Sequence, residues 1–297
     1  MIIRVAGAAD AEALVALRSS VYPYLVRGAE STRRMLAEPI PGEDEVVHVA
    51  ELDGWLIVGA AAARRNATSS TGDLGDIMLC VRRAHRRRGA GTALLYAALA
   101  HLRTLGVRRV RAFAQPDSLD FARRHGFTPS REVRYSGLPL SPAPPAPRPP
   151  DGVRLRPLTD WSPAEFFPAY VAAASDEPGD EPVDAIGFDH WRADVWDEPD
   201  TDLAGSVVAT VDGVVAAFTI VRRDGDRMWS DMTATVPAYR GRGLAALVKR
   251  AALHRAAGRG VTMAYTSNDE ANAPMLAVND RLGYRPVGAQ WSCLRDL

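Results

Sequence analysis

The chain has 297 residues, 36 basic and 36 acidic side chains, and a hydrophobic content of 47%. This length gives room for about two domains of ordinary size, and the composition is typical of a globular protein. The zero net charge argues against a protein that binds nucleic acid over its whole surface. Cys80 and Cys293 fall in separate predicted strands, so we expect no disulfide and a reducing, cytoplasmic environment. No signal-peptide pattern and no apolar run of membrane-spanning length occurs.

The first half of the chain alternates apolar runs typical of strands with Ala/Leu-rich runs typical of helices. Asp53-Gly54 lies between two apolar runs and predicts a β-hairpin, because this dipeptide accepts the positive φ angles of a tight turn. The predicted strands are 1–6, 45–52, 55–63, 76–81, 110–114 and 132–138, and the predicted helices are 10–21, 92–105 and 118–125.

A proline-rich segment, SPAPPAPRPP at 141–150, is the clearest boundary in the chain. Proline cannot extend a helix or donate a ladder hydrogen bond, so the segment predicts a semi-rigid extended linker. We therefore expect an N-terminal domain at 1–140 and a C-terminal domain at 151–297.

The second half repeats the element order of the first, again with an Asp-Gly hairpin turn, at Asp212-Gly213. The segment from Asp176 to Asp202 is acidic, aromatic and interrupted by proline, and we expect a lid-like helical insert or a segment on the substrate side. The predicted strands are 153–157, 206–211, 214–221, 228–236, 261–266 and 291–294, and the predicted helices are 163–174, 244–257 and 274–282.

Two Arg/Gly-rich segments each follow a predicted strand and precede a predicted helix. They are RRRGAG at 86–91 and RGRGLA at 240–245, which start 154 residues apart, and RHGF at 124–127 is likewise echoed by RLGY at 281–284. This repetition indicates a domain duplication, because solenoid repeats are far shorter. A glycine turn at a helix start gathers backbone N–H groups at the positive end of the helix dipole, which suits a phosphate or pyrophosphate. Neither a Walker loop nor a GxGxxG dinucleotide fingerprint is present.

Both segments fill the pattern Arg-x-x-Gly-x-Gly/Ala, which resembles the acetyl-CoA signature of the GNAT acetyltransferases. The element order of each half is similar to that family too, and the second half resembles a bacterial subgroup with the pattern N…NxxMxxxNxxLG(Y/F), here from Asn268 to Tyr284. The resemblance implies an α/β (α+β) protein of two tandem GNAT-like domains, each a mixed, mostly antiparallel sheet flanked by helices. It also implies acetyl-CoA as co-substrate and a small-molecule amine as acceptor.

The resemblance further implies which residues contact acetyl-CoA. In the family, a strand end separates from its neighbour and leaves backbone N–H groups free to bind the thioester carbonyl. The implied residues of the second half are Thr233, Ala234, Thr235, Arg240, Gly241, Arg242, Gly243, Leu244, Ala245, Asn268 and Asn272. Those of the first half are Leu79, Cys80, Val81, Arg86, Arg87, Arg88, Gly89, Ala90 and Gly91.

The amine must lose a proton, which calls for a base. The place of the usual family carboxylate, on the strand before each turn, holds Gly75 in the first half and Trp229 in the second. Side chains two residues apart share a strand face, so Asp231 lies on the face of Trp229 and is the predicted base. We therefore favour the C-terminal domain as the active one and expect the N-terminal domain to be catalytically weakened. A purely structural hydrogen-bonding role for Asp231 is the alternative.

The tyrosine that protonates the thiolate in many relatives is replaced by Ala122 and by Asn279 in the two halves. Tyr284 is the predicted substitute, with Tyr265 or solvent as alternatives. These missing groups also motivate a second hypothesis, a non-catalytic protein that binds acyl-CoA as a regulator or scaffold. A third hypothesis, nucleic-acid binding through the basic cluster at 82–88, would give a strongly salt-dependent affinity.

The six histidines show no metal-ligand spacing, so we predict no metal site. We also predict no nucleic-acid partner, no membrane partner, and a monomer or homodimer. Basic residues are nearly all arginine, with Lys249 as the only lysine, which together with the Ala, Gly and Pro content suggests a GC-rich bacterial genome.

Overall fold

The computed structural model describes residues 1–174 and 178–297. The contacts between them define two compact units. Unit 1 comprises 1–133, 184–190 and 289–297, and unit 2 comprises 134–183 and 191–288. The proline-rich segment at 141–150 forms no helix or strand. The predicted domain limits, 1–140 and 151–297, stay a prediction, because the two units are defined by contacts within the fold and not by the position of the proline-rich segment.

Unit 1 is built on a mixed sheet in which β4 and β5 are parallel and the other pairs are antiparallel. Helix α3 covers the sheet, and Leu94, Leu99 and Leu102 are buried in the core between them. The elements are β1 (Ile2–Val5), α1 (Ala11–Val21), α2 (Ala29–Ala37), β2 (Val46–Leu52), β3 (Leu56–Arg65), β4 (Leu74–Val81), α3 (Ala90–Thr104), β5 (Arg109–Ala114), α4 (Leu119–Arg124) and β6 (Thr128–Pro139). The last residues of the chain complete this sheet, with Trp291 to Asp296 antiparallel to β5.

Unit 2 repeats this design, with β10 and β11 as its parallel pair and α7 packed on the sheet through Val248, Ala252 and Leu253. The elements are β7 (Val153–Pro157), α5 (Pro163–Ala174), α6 (Phe188–Trp191), β8 (Val207–Val211), β9 (Val214–Asp224), β10 (Arg227–Thr235), α7 (Leu244–Gly258), β11 (Met263–Asp269), α8 (Ala273–Leu282) and β12 (Arg285–Asp296). Three elements cross the limits of the units: residues 128–133 of β6, 188–190 of α6 and 289–296 of β12 belong to unit 1, and their remaining residues belong to unit 2.

The two predicted hairpin turns are confirmed. Asp53 and Gly54 have φ angles of 53° and 75°, and Asp212 and Gly213 have φ angles of 51° and 83°. Two successive positive φ angles define a type I′ turn, whose twist matches that of the flanking strands. The predicted mixed, mostly antiparallel architecture is confirmed as well.

Other elements differ from the prediction. The stretch 22–42, for which no element was predicted, contains α2. Both β6 and β12 are longer than predicted. Pairing with strands that are distant in the sequence lengthens them, and a local sequence pattern does not reveal such pairing. The acidic segment contains α6 and a widened helical turn, Arg192–Trp196, while Asp176 and Glu177 lie outside the described residues. In the described part of the chain, no helix is long and apolar enough to cross a membrane.

Candidate functional site

The parallel pair of unit 2 separates partway along its length. Strand β10 pairs with β11 only from Arg227 to Trp229, although β10 continues to Thr235 and β11 to Asp269. At the point of separation, the Thr266 hydroxyl donates to the Ser230 carbonyl over 3.3 Å. This is the strand separation that the second half was expected to have. It leaves two facing strand edges whose backbone groups can bind an extended ligand.

A cavity of about 790 Å³ opens at this separation and runs to the start of α7. All eleven second-half residues that were predicted to contact acetyl-CoA line it, together with Asp231. The cavity also includes residues that sequence reasoning missed: Ser230, Tyr239, Lys249 and Thr266. Of these, only Lys249 carried a signal in the sequence, as a single lysine within an Ala/Leu-rich helix.

The glycine turn before α7 has the conformation that an anion site needs. Gly241 and Gly243 have φ angles of 78° and 73°, a region that disfavours side chains, and a Cβ placed on either would meet no atom within 4 Å. Glycine is therefore favoured by the backbone conformation, and the space beside it is open. Arg240 Nε donates to the Thr235 carbonyl over 3.2 Å and braces the turn against the strand.

The start of α7 leaves backbone donors free at the cavity. The bond from Leu247 N to the Gly243 carbonyl, 3.2 Å long, is the first of the helix, so the preceding N–H groups have no partner within the helix. Leu244 and Ala245, which carry two of these groups, are among the residues that line the cavity. Together with the helix dipole, they make this end of the cavity suited to a pyrophosphate.

Asp231 lies at an irregularity in β10. The register with β9 shifts between Ser230 and Thr233, so two residues of β10 oppose one residue of β9. Such a bulge breaks the simple alternation of side chains. Alternation holds from Trp229 to Asp231, which supports the predicted face. Beyond the bulge the faces are exchanged, because Thr233 pairs with Thr219 on the face that Ser230 occupies before the bulge.

The Asp231 carboxylate is held in place by an ion pair with Arg222. Arg222 Nη2 lies 3.1 Å from Asp231 Oδ2, and the two side chains are 16% and 25% exposed. Asp231 is therefore accessible from the cavity while its orientation is fixed by the arginine. This arrangement suits a carboxylate that accepts a proton directly or through a water molecule.

The structure gives no support to Tyr284 as a direct acid. Tyr284 is 1% exposed and does not line the cavity, and its hydroxyl lies 3.3 Å from Ser230 Oγ. Burial raises the pKa of this phenol, because the charged form loses its hydration. Tyr265, the other tyrosine considered, is also not among the cavity residues. Tyr284 is thus a side chain of the core, and its catalytic role stays a prediction.

Asn272 combines a structural role with a place in the cavity. It is the N-cap of α8, and its Oδ1 accepts a hydrogen bond of 3.2 Å from Met275 N. Such caps satisfy backbone donors at a helix start. The side-chain Nδ2 group is then the part of Asn272 that can contact a ligand.

Unit 1 repeats the strand separation and the turn. Strand β4 pairs with β5 only from Leu74 to Ile77, so Leu79, Cys80 and Val81 lie on the separated end. Arg86 Nε donates to the Val81 carbonyl over 3.2 Å, as Arg240 does to Thr235. The positive φ angles fall on Arg87, at 64°, and Gly89, at 87°. Arg88 is exposed and Ala90 is buried against the core.

Side chains occupy the surroundings of this second turn. Asp117 Oδ2 lies 2.9 Å from Arg86 Nη1 and 3.6 Å from Arg83 Nη2. Burial alone would raise the Asp117 pKa, but hydrogen bonds from Ser118 and Arg86 outweigh this and lower it. The Phe121 ring lies so close to Gly91 that a Cβ there would be 3.4 Å from Cζ.

The separated end of β4 also has a side-chain partner. The Tyr22 hydroxyl donates to the Leu79 carbonyl over 3.1 Å, and Gln115 Nε2 donates to the Val21 carbonyl over 3.2 Å. The predicted first-half residues are thus brought together around one turn, but protein groups already contact that turn and its strand. Within the described residues, no group of His, Cys, Asp and Glu side chains could hold a metal ion.

Comparisons with known proteins agree with this geometry. The Acetyltransferase (GNAT) family model matches residues 12–127 and 156–284. A mycothiol acetyltransferase from Nocardioides sp. is 30% identical over 254 residues, which cover 80% of this chain and 83% of that protein. One from Streptomyces coelicolor is 28% identical and covers 82% and 78%.

Solved structures show the same fold over the whole chain. A tandem GNAT protein from the clavulanic acid biosynthesis pathway has a TM-score of 0.74 at 20% identity and covers 99% of this chain and 98% of its own. A GCN5-related N-acetyltransferase from Sphaerobacter thermophilus has a TM-score of 0.72 at 19% identity and covers 99% and 95%. Nothing in these comparisons favours the non-catalytic alternative. The chain therefore belongs to the GNAT acetyltransferase family, as a tandem GNAT N-acetyltransferase with acetyl-CoA as co-substrate.

Proposed function

We propose that the cavity of unit 2 binds acetyl-CoA and transfers its acetyl group to the amine of a small molecule, with Asp231 as the base. The observation that carries the proposal is the coincidence of three features in one cavity. They are a glycine turn with open space, a pair of separated strands, and an accessible carboxylate at the bulge.

The binding residues divide by the part of acetyl-CoA that they would hold. The turn from Arg240 to Ala245 would hold the pyrophosphate through backbone N–H groups. The separated edges of β10 and β11 would hold the extended arm, with Thr233 to Thr235 on one side and Asn268 on the other. Backbone N–H groups of β10 would stabilise the negative charge that forms on the thioester oxygen during attack.

The transfer needs one proton acceptor on the protein. Asp231 takes a proton from the ammonium form of the acceptor, and the neutral nitrogen then forms a bond to the acetyl carbon as the carbon–sulfur bond breaks. The second proton that this nitrogen releases passes to solvent. The departing thiolate is a weak base, since a thiol has a pKa of about 8.5. Solvent can therefore supply its proton, which is consistent with a cavity that no predicted tyrosine acid lines.

For the acceptor, the named relatives supply the first candidate. They are called mycothiol acetyltransferases, and the two-domain layout is similar to that of mycothiol synthase, so we propose an amine of that class as the first member of a test panel. We further propose that the chain works in the cytoplasm as a monomer or homodimer, without nucleic acid. The two free, buried cysteines support a reducing compartment.

The test is the release of the coenzyme A thiol from acetyl-CoA in the presence of a panel of small amines. We expect amine-dependent release by the wild-type chain and a strong loss of turnover in Asp231→Asn, with little change in acetyl-CoA affinity. An unchanged turnover in that variant would remove Asp231 as the base. No amine-dependent release with any member of the panel would count against the proposed acceptor class.

A further inference from the structure

Lys249 is a buried hydrogen-bond donor in the wall of the cavity. It lies on α7, six residues after Gly243, and only 1% of its surface is exposed. Nζ lies 2.7 Å from Asn279 Oδ1 and 3.3 Å from Thr266 Oγ1, and 5.0 Å above the ring of Tyr284. All of these partners are uncharged, so no carboxylate among them accounts for a lysine at this depth. Burial lowers its pKa to about 7.

The lysine fixes the orientation of a neighbouring amide. A side-chain amide can usually be turned over, exchanging its oxygen and nitrogen. The protonated Nζ can only donate, so the oxygen of Asn279 faces it in that state, as it does in the structure. Asn279 is 2% exposed, and its Nδ2 then donates to Asn268 Oδ1 over 2.6 Å.

The hydrogen bond from Asn279 in turn fixes the orientation of the Asn268 amide at the cavity surface. Asn268 lies on the separated part of β11 and lines the cavity. Its Oδ1 is engaged by Asn279, so Nδ2 is the group that Asn268 can offer to a ligand. We propose that Lys249 and Asn279 are positioning residues that hold the Asn268 amide with its N–H donor toward a carbonyl oxygen in the extended arm of acetyl-CoA. The inference rests on the proposed binding of acetyl-CoA in unit 2.

Unit 1 supplies an internal comparison. With the offset of the two turns, Leu95 occupies the place of Lys249, and with the offset of the two Gly-Phe/Tyr turns, Ala122 occupies the place of Asn279. Both are apolar and buried, so this relay of hydrogen bonds is not repeated there. The relay accompanies the unit 2 turn, and it is missing in unit 1, where Asp117 is ion-paired with Arg86 of the turn and Phe121 lies near Gly91.

The experiment measures the binding of two probes by calorimetry, using the full chain. Coenzyme A contains the arm, and adenosine 3′,5′-bisphosphate lacks it. We expect Lys249→Met to weaken coenzyme A about tenfold, the effect of one lost hydrogen bond, and to leave the armless probe within about twofold. Lys249→Gln keeps an N–H donor of similar reach and should recover most of the affinity. A general distortion of the fold would weaken both probes alike and would overturn the proposal.

A double-mutant cycle tests the coupling. Asn268→Ala should weaken coenzyme A by about the same factor as Lys249→Met, and the double variant should be no weaker than either, since both remove one donor. Losses that multiply, or a Lys249→Met variant with wild-type affinity, would overturn the relay. Gly243→Val separates this failure from that of the proposed site: if it too leaves coenzyme A binding intact, the site itself is wrong.

Discussion

The two halves of the chain carry the same strand, turn and helix, but they differ in what surrounds the turn. Both turns use two positive φ angles and a brace from an arginine side chain to the strand end. In unit 2, the first of these angles falls on Gly241, and β10 contains a bulge. Val278, which stands at the place of Phe121 in unit 1, lies on the cavity wall. In unit 1, the angle falls on Arg87, and the register of β3 and β4 runs without a shift.

An anion-binding turn is thus largely a property of the backbone, whereas its use depends on a few neighbouring side chains. In unit 1, Asp117 places a carboxylate beside Arg83 and Arg86. A carboxylate can neutralise the same positive groups that would attract a phosphate. We infer that Asp117 neutralises the positive side chains around the unit 1 turn, and that the unit 2 turn is the one that holds acetyl-CoA.

The largest expected effect comes from substitution of Asp231 on β10, compared with the same substitution of Asp76 on β4. Asp231→Asn should lower kcat about 10²- to 10⁴-fold, the usual contribution of a general base, with the KM for acetyl-CoA nearly unchanged. Asp76→Asn is the matched control, because Asp76 is ion-paired with Arg111 at 2.7 Å in the other half. Steady-state kinetics check both variants. Equal losses in the two would contradict a special role for Asp231.

The two glycine turns can be compared directly by substitution. Gly243→Val and Gly89→Val introduce the same strain at a positive φ angle, so the difference between them reports on the ligand. We expect kcat/KM for acetyl-CoA to fall about 100-fold in Gly243→Val, the loss of about two charge-assisted hydrogen bonds, and less than about threefold in Gly89→Val. The reverse order would assign acetyl-CoA to unit 1.

Lys249 should give unit 2 a pH dependence of stability that its apolar counterpart Leu95 cannot give. Its pKa is lowered from 10.5 to about 7, so the unfolded chain binds more protons than the folded chain between these values. The free energy of unfolding should therefore rise with pH across this window, by about 2 kcal/mol after allowance for water penetration. Urea unfolding at pH 7 and pH 9.5 measures it, and the rise should disappear in Lys249→Met. An equal rise in both proteins would contradict it.

The side chains beside Gly91 can be replaced by smaller ones to open the first turn. The wild-type chain should bind one coenzyme A, and a variant with Asp117→Ala and Phe121→Val should gain a second, weaker site, because it loses the competing carboxylate and the ring. Isothermal titration calorimetry gives the stoichiometry. If the wild-type chain already binds two molecules, the proposed difference between the halves is wrong.

The smallest effect concerns the backbone of the turn. Arg87 has a φ angle of 64°, which costs about 1 kcal/mol for a residue with a Cβ. Arg87→Gly should therefore leave thermal stability unchanged or raise it slightly, while Gly241→Arg should lower it by about 1 kcal/mol. Calorimetric unfolding checks both, and a clear loss of stability in Arg87→Gly would show that the arginine has contacts that outweigh the strain.

Local chemistry made much of this architecture predictable from sequence. The Asp-Gly hairpins, the glycine turns and the element order all depend on residues that are close in the chain, and the structure contains them. The bulge beside Asp231 was not predictable, because it depends on pairing with a strand whose register the sequence does not display. The burial of Tyr284 was not predictable for a similar reason, since only the folded core shows that its hydroxyl faces Ser230. Lys249 was visible as an oddity, but its partners on α8 and β11 were not.

The most direct test of this account is a crystal structure of the full chain with coenzyme A bound. The account predicts the pyrophosphate at Gly241 and Gly243, the extended arm between β10 and β11, and the sulfur end facing Asp231. Coenzyme A bound only at Gly89, or bound in unit 2 with its sulfur directed away from Asp231, would contradict it.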